Sequence, residues 1–281
     1  MKTYLVTGTE GFIGKSVKIN LVSKGNDVIC IDRNFITENP SWEKSLKEIF
    51  LSHNLDGVFH IGACADTLSQ DVNEMMLLNY YFTKELADLC LDQKVKMVFS
   101  SSAACYGNRG TPENLYAWSK LCAENYLVSI GKAVSLRYFN VFGPGEENKG
   151  RMSSVAFQAF SKILLRKEAS EMILFPGKPK RDFVHIDDVV DSNIYAMENI
   201  AEGTVWDVGC GDPISFETVM NIFGIPYNYA SEENIPAGYQ FYTCSHKWMP
   251  GWNPKIEINS RFESYRDYLL EIYRIDNRKD V

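Results

Sequence analysis

Thr3-Tyr4-Leu5-Val6-Thr7-Gly8-Thr9-Glu10-Gly11-Phe12-Ile13-Gly14 opens this 281-residue chain and decides its fold. Residues 3–7 read as a short apolar strand, and the spacing of apolar residues over about 12–24 reads as a helix. Between them glycine recurs at every third position. Gly8 permits a tight turn, Gly11 lets the backbone approach a pyrophosphate, and Gly14 lets the helix pack close to the strand. The helix amides would then face the anion. An ordinary glycine-rich strand–helix turn is the alternative, and Asp32 counts against it. Asp32 follows the apolar run Val28-Ile29-Cys30-Ile31, where a carboxylate can hold both hydroxyls of a ribose. It repels a 2′-phosphate while the neighbouring Arg33 attracts one. NAD is therefore the expected cofactor, with NADP as the second possibility.

The alternation continues outward from this motif. A helix around 41–51 leads to the strand Gly57-Val58-Phe59-His60-Ile61, and a long helix over 71–92 leads to Lys96-Met97-Val98-Phe99-Ser100. A helix from Tyr116 to about 130 precedes a strand at 133–138. Short apolar runs alternating with helices imply an α/β fold, a Rossmann-type doubly wound parallel sheet covered on both faces. After Asn140-Val141-Phe142-Gly143-Pro144-Gly145 the texture changes. Helices near 152–166 and 186–199 mix with short strands, and prolines accumulate in 213–254. The expectation is a dinucleotide-binding domain over 1–145 and a smaller, partly interleaved α/β substrate lobe over 146–281. The charged tail after about 274 is expected to fray.

A net charge of −7 argues against a nucleic-acid partner held by bulk charge, though not against a small anionic ligand. The first strand begins too early to leave room for a signal peptide, and no apolar run reaches membrane-spanning length. Seven scattered cysteines without a C-x-x-C pair read as reduced thiols, neither a disulfide frame nor a metal site. A cytoplasmic protein is expected. A small buried hydrophobe is the default reading of these cysteines; approach of Cys105 to the functional residues is the disfavoured alternative.

Tyr116-Ala117-Trp118-Ser119-Lys120 carries the chemistry. A spacing of four puts Tyr116 and Lys120 one turn apart on a helix face, where the ammonium can lie beside the phenol and favour its ionised form. Tyrosine ionises near pH ~10, so a base at pH 7 needs a shift of roughly 3 units, about 4 kcal/mol. Ser102 closes a buried strand shortly upstream, at a carboxyl end where open parallel sheets put their ligands. Its hydroxyl can donate to a substrate oxygen while Tyr116 exchanges that oxygen's proton. A capping serine in a polar turn is the alternative reading. The apolar residues of the Tyr116 helix are spread too widely for one wet face. Either the helix is buried on both sides within the subunit, or it packs on a partner chain together with the 71–92 helix. The second is favoured, and a homo-oligomer is expected.

Glycine loop, serine and Tyr-x-x-x-Lys, in that order, resemble the extended short-chain dehydrogenase/reductase family acting on nucleotide sugars, most of all its epimerases of ADP-activated heptose. The likeness extends over His60-Ile61-Gly62-Ala63-Cys64, Leu78-Asn79-Tyr80, Arg137-Tyr138-Phe139-Asn140-Val141-Phe142-Gly143-Pro144, Asn148-Lys149-Gly150-Arg151-Met152-Ser153-Ser154, Lys180-Arg181-Asp182-Phe183-Val184-His185 and Ala237-Gly238-Tyr239-Gln240. It implies that Phe12, Ile13, Ala63, Cys64, Asn79 and Val141 lie along the cofactor, and that Lys120 and Tyr116 also touch it. It implies that Asn140 contacts a nucleotide-diphosphate sugar and that Arg181 and Tyr239 hold its diphosphate. Phe175 and Gly177 belong to a loop matching one that contacts the nucleotide, and Lys149 matches a second catalytic base. Arg181 suits a diphosphate on physical grounds too, through its planar fork of donors.

Departures from the family pattern bear on the substrate. Arg151 and Gln158 stand where the heptose enzymes carry a substrate-touching serine and histidine. The stretch from Asp32 to Asp56 is shortened, losing a strand beside the adenine, and the loop from Ser102 to Tyr116 is shortened too. The family's dehydratases carry an Asp-Glu pair where this chain has Ala103-Ala104, which argues against dehydration. Epimerisation through transient oxidation of a sugar carbinol consumes no net cofactor and is the main expectation. A UDP-hexose 4-epimerase or an NAD(P)H-dependent keto-sugar reductase would use the same residues. A silent dinucleotide or sugar sensor would be expected to lose the tyrosine or the lysine, and both are present.

Overall fold

β1 (Thr3–Thr7), α1 (Phe12–Ser23) and β2 (Asp27–Ile31) form where the glycine motif puts them. The computed structural model describes residues 1–107, 110–235, 239–255 and 257–275. The charged end at 276–281 and the block residues Ala237 and Gly238 lie outside these. Two short helices follow β2: α2 (Arg33–Thr37) and α3 (Trp42–Ser52). They lead straight to β3 (Gly57–His60), and no strand intervenes.

Residues 72–92 are helical in three pieces: α4 (Val72–Met76), a π-helical segment (Leu77–Tyr81) and α5 (Phe82–Asp92). β4 (Met97–Ser102), α6 (Leu115–Ser129) and β5 (Val134–Tyr138) complete the series. The chain resolves into two compact units, the first formed by Met1–Tyr138, Val189–Val208 and Lys247–Trp252.

The first unit's sheet has six parallel strands in the order Thr204–Val208, β5, β4, β3, β1, β2. Leu5, Val6, Val58, Phe59, Met97, Val98, Phe99 and Leu136 are all buried, as parallel strands covered on both faces require. The order reverses at β1, so the carboxyl ends of β1 and β3 flank the crevice where such sheets bind ligands. Thr7 and His60 are register partners at that crevice. β2 is the edge strand, in agreement with the shortened 33–55 stretch.

The second unit, Phe139–Asp188, Gly209–His246 and Asn253–Val281, holds three two-stranded sheets among its described residues. In one of them Asn140–Phe142 pairs in parallel with Phe183–His185. Its core centres on Phe142 and Phe262, stacked with ring centroids 3.9 Å apart, with Phe183 edge-on to both.

Candidate active site

The glycine loop has the shape a pyrophosphate needs. Gly8 sits at φ +72°, and a Cβ there would lie 2.6 Å from the Gly62 Cα. A Cβ on Gly14 would lie 2.0 Å from the Gly8 carbonyl oxygen, so no other residue lets α1 start so close to β1. Gly11 caps α1 without a side-chain bond, and the helix's first turn, which holds Phe12 and Ile13, carries no acidic residue. The positive end of the helix dipole at that turn favours an anion. Asp32 is held by the Thr9 hydroxyl at 2.6 Å and the Glu10 N–H at 3.0 Å. Its carboxylate oxygens have lone pairs left for two ribose hydroxyls. These residues fit a dinucleotide. Arg33, beside Asp32, donates to Glu74 on α4.

A buried chain of hydrogen bonds runs from this loop to the Tyr116 helix. The Thr83 hydroxyl donates to the Asn79 carbonyl (2.8 Å), so it accepts from His60 Nε2–H, also at 2.8 Å. His60 Nδ1 then accepts from the Thr7 hydroxyl at 2.7 Å, and Thr7 Oγ1 accepts from the Ile61 and Gly62 amides. Burial, with the Lys120 charge nearby, holds His60 well below its ordinary pKa, so the ring is neutral.

Asn79 lies in the π segment, whose wider turn directs it inward. Its amide clamps Cys64 from both sides, N–H to Oδ1 at 2.7 Å and Nδ2 to O at 3.0 Å, and also donates to Ser119 Oγ. The Ser119 hydroxyl donates to the Tyr116 carbonyl at 2.7 Å. Asn79 therefore shapes the Ala63–Cys64 backbone and anchors the Tyr116 helix from a fully buried position.

Tyr116 and Ser102 come together at the carboxyl end of β4. Burial pushes the phenol up to about 12, and the hydrogen bond with the Ser102 side chain pulls against that rise. Lys120 is anchored to β4. Its Nζ donates to the Ser100 carbonyl at 2.7 Å and lies 4.7 Å above the Phe99 ring. Burial lowers the ammonium to about 8, the level of a group that changes charge easily. Cys105 does approach: its thiol donates to the Ala117 carbonyl, and burial raises it, which makes it a poor nucleophile.

Sequence patterns did not point to the support behind these residues. Glu124, one turn beyond Lys120, accepts from the Ser101 hydroxyl at 2.8 Å and from Arg137 Nε at 2.9 Å and Nη2 at 2.5 Å. The Arg137 guanidinium stacks 4.3 Å from the Tyr106 ring, and the Tyr106 hydroxyl donates to buried Asp207. Ser101, Arg137 and Asp207 are register partners across three adjacent strands. An extension of Tyr-x-x-x-Lys to a glutamate four residues on was the available signal.

The remaining candidates lie in the second unit. Lys149 stands on the turn Glu146–Met152, and burial lowers its pKa against the pull of Glu146. Glu146 is fully buried and accepts from the Gly143 N–H, the Ser154 N–H and the Ser154 hydroxyl, fixing that turn. Gln158 donates to the Arg151 and Ser153 carbonyls, so its amide serves the same loop, while the Arg151 side chain is exposed. Asn140 and Val141 lie on the strand paired with Phe183–His185.

Arg181 packs over the rings of Tyr239 (5.3 Å) and Phe216 (5.6 Å). Phe175 meets Tyr239 edge-on at 4.9 Å, and Tyr239 meets Phe241 at 5.1 Å. Gly177, at φ +90°, lies directly against the Phe241 ring. The result is a cation set among aromatic rings, suited to a phosphate next to a planar base. Behind it, buried Asp182 accepts from the Cys210, Gly211 and Ser245 amides.

Residues 4–209 match the NAD dependent epimerase/dehydratase family. The chain belongs to this family. It is 36% identical to the ADP-L-glycero-D-manno-heptose-6-epimerase of Brachyspira hyodysenteriae, across 94% of this chain and 97% of that one. The enzyme of the same name from Cupriavidus pinatubonensis is 32% identical across 77% and 76%. Among solved structures, the Helicobacter pylori ADP-L-glycero-D-manno-heptose-6-epimerase is similar with a TM-score of 0.81 and 26% identity, covering 95% of this chain and 96% of that one. Family membership brings NAD as the cofactor, and the glycine loop and Asp32 fit it.

Among the described residues no helix is long and apolar enough to cross a membrane, and no group of three or more potential metal ligands is gathered together. All seven cysteines are free thiols.

Proposed function

We propose that this chain epimerises a nucleotide-activated sugar, most like an ADP-glycero-manno-heptose, by oxidising a sugar carbinol and reducing the resulting ketone from its other side. The observation that carries this reading is the Ser102–Tyr116 pair on an anchored helix at the carboxyl end of β4. NAD, when bound, supplies the hydride acceptor and returns what it takes. Ser102 donates to the reacting oxygen, Tyr116 exchanges its proton, and Lys120 supplies positive charge to the tyrosine's surroundings. Lys149 serves as the second base, and its lowered pKa favours that role. Arg181 and Tyr239 hold the diphosphate, with Phe175 and Gly177 beside the base; Asn140, Arg151 and Gln158 shape the sugar end.

The test is to incubate purified protein and NAD with ADP-D-glycero-D-manno-heptose and follow the 6-epimer by proton NMR. Conversion without change in nicotinamide absorbance is the expected result. Conversion of UDP-glucose instead would favour the 4-epimerase alternative. Stoichiometric loss of NAD(P)H absorbance on a keto-sugar would favour a reductase.

We further propose a cytoplasmic homo-oligomer associating through the 71–92 and 116–130 helices. Exposed Tyr81 and Leu91 on the first, and Trp118 and Val128 on the second, support this. The free thiols support a reducing compartment. Trp118→Glu is expected to turn a sedimenting oligomer into monomer; unchanged sedimentation would contradict the interface.

A further inference from the structure

Arg33 is the cation that the sequence sets beside Asp32, and the structure commits it to a different carboxylate. Its guanidinium donates to Glu74 Oε1, from a residue 41 positions further along the chain. The Glu74 backbone is placed without Arg33. It lies in the first turn of α4, with its N–H bound at 3.0 Å by the capping carboxylate of Asp71. Asp32 is fixed just as independently, by the Thr9 hydroxyl and the Glu10 N–H. The Arg33 and Glu74 side chains keep 59% and 31% of their exposure, so the pair, whose Arg33 directly follows Asp32, is open to solvent.

We infer that Glu74 is a cofactor-specificity residue, which sets the preference for NAD over NADP by holding Arg33 and adding negative charge near Asp32. The chemistry of the two nucleotides differs at one point. A ribose 2′-hydroxyl is a donor, which carboxylates satisfy. A 2′-phosphate is an acceptor carrying up to two negative charges, and Arg33 is the donor fork next to Asp32 that suits it. While Glu74 holds that fork, the phosphate has to displace a carboxylate from Arg33 and then sit near both acidic groups. Glu74 was not a candidate from sequence, because nothing in the spacing joins it to Arg33.

The inference concerns the dinucleotide end alone and needs no sugar. Loss of the epimerase reading would leave it standing, and its own failure would leave the epimerase reading standing.

Purified protein is equilibrated with equimolar NAD and NADP, and the nucleotides released on denaturation are quantified. Calorimetric titrations give each dissociation constant. Glu74→Gln is expected to tighten NADP about tenfold, the scale of one charge removed at close range near a surface, with NAD changed less than twofold. The gain must need Arg33, so the double variant Glu74→Gln/Arg33→Ala is expected to lose it. An unchanged NADP-to-NAD ratio in Glu74→Gln would overturn the inference. So would a gain that survives in the double variant, or equal weakening of both nucleotides, which would mark Glu74 as mere support. Should Glu74→Gln not fold, Glu74→Asp withdraws the carboxylate by one methylene, and the same ratio is expected to move by a smaller factor in the same direction.

Discussion

Tyr116→Phe is expected to lower turnover by about 10²–10⁴-fold, the range that a positioned acid–base group contributes, and to leave the fold intact. The bonds that anchor this helix use backbone: the Ser119 hydroxyl holds the Tyr116 carbonyl, and the Asn114 side chain caps the helix at the Ala117 amide. Phenylalanine therefore removes the phenol's bond to Ser102 and little else. With the phenol held near 12 by burial, Tyr116 is neutral at pH 7 in the protein alone. It is then ready to donate a proton to a ketone, and it needs nearby positive charge before it can accept one from a carbinol. Carbon-13 NMR of tyrosine Cζ, with the Tyr116 signal assigned by its disappearance in the variant, is expected to show ionisation above pH 10 without cofactor and at lower pH with it. Turnover of Tyr116→Phe within a few-fold of the natural chain would refute the mechanism.

How much of this was legible in the sequence follows from the range of each interaction. The glycine loop, Asp32 and the alternating strands were readable because local geometry and burial on both faces dictate residue type. The π segment around Asn79 was not: helical periodicity over 71–92 reads through it, and one wider turn leaves no compositional trace. Lys120 was expected beside the phenol, since a spacing of four allows it. Its ammonium also donates to the Ser100 carbonyl, a strand contact that helix spacing cannot reveal. Partners supplied by other elements, such as Glu74 for Arg33 and Arg137 for Glu124, belong to the same class. In the second unit the lysine–glycine block and Arg181 stood out by likeness, whereas Phe241 and Asp182 gain meaning only from what they pack against.

Glu124→Ala is expected to destabilise the protein by about 3–5 kcal/mol, the cost of stranding a buried charge. The Glu124 side chain keeps 3% of its exposure and Arg137 keeps 16%, so neither group is compensated by water. Burial works against the Arg137 charge, and the bonds and charge of Glu124 more than restore it, which makes the two-pronged pair the condition for a guanidinium at this depth. The loss would reach the site, because Glu124 also holds the Ser101 hydroxyl next to Ser102 on the strand that meets Tyr116. Urea unfolding gives the measurement, with the natural chain as reference. Replacing both partners by methionine is expected to recover part of the loss, since paired apolar groups avoid the uncompensated charge. If Glu124→Ala unfolds within 1 kcal/mol of the natural chain, the pair is not what fixes the serine strand to the tyrosine helix, and the backbone bonds through Ser119 and Asn79 must carry that register by themselves.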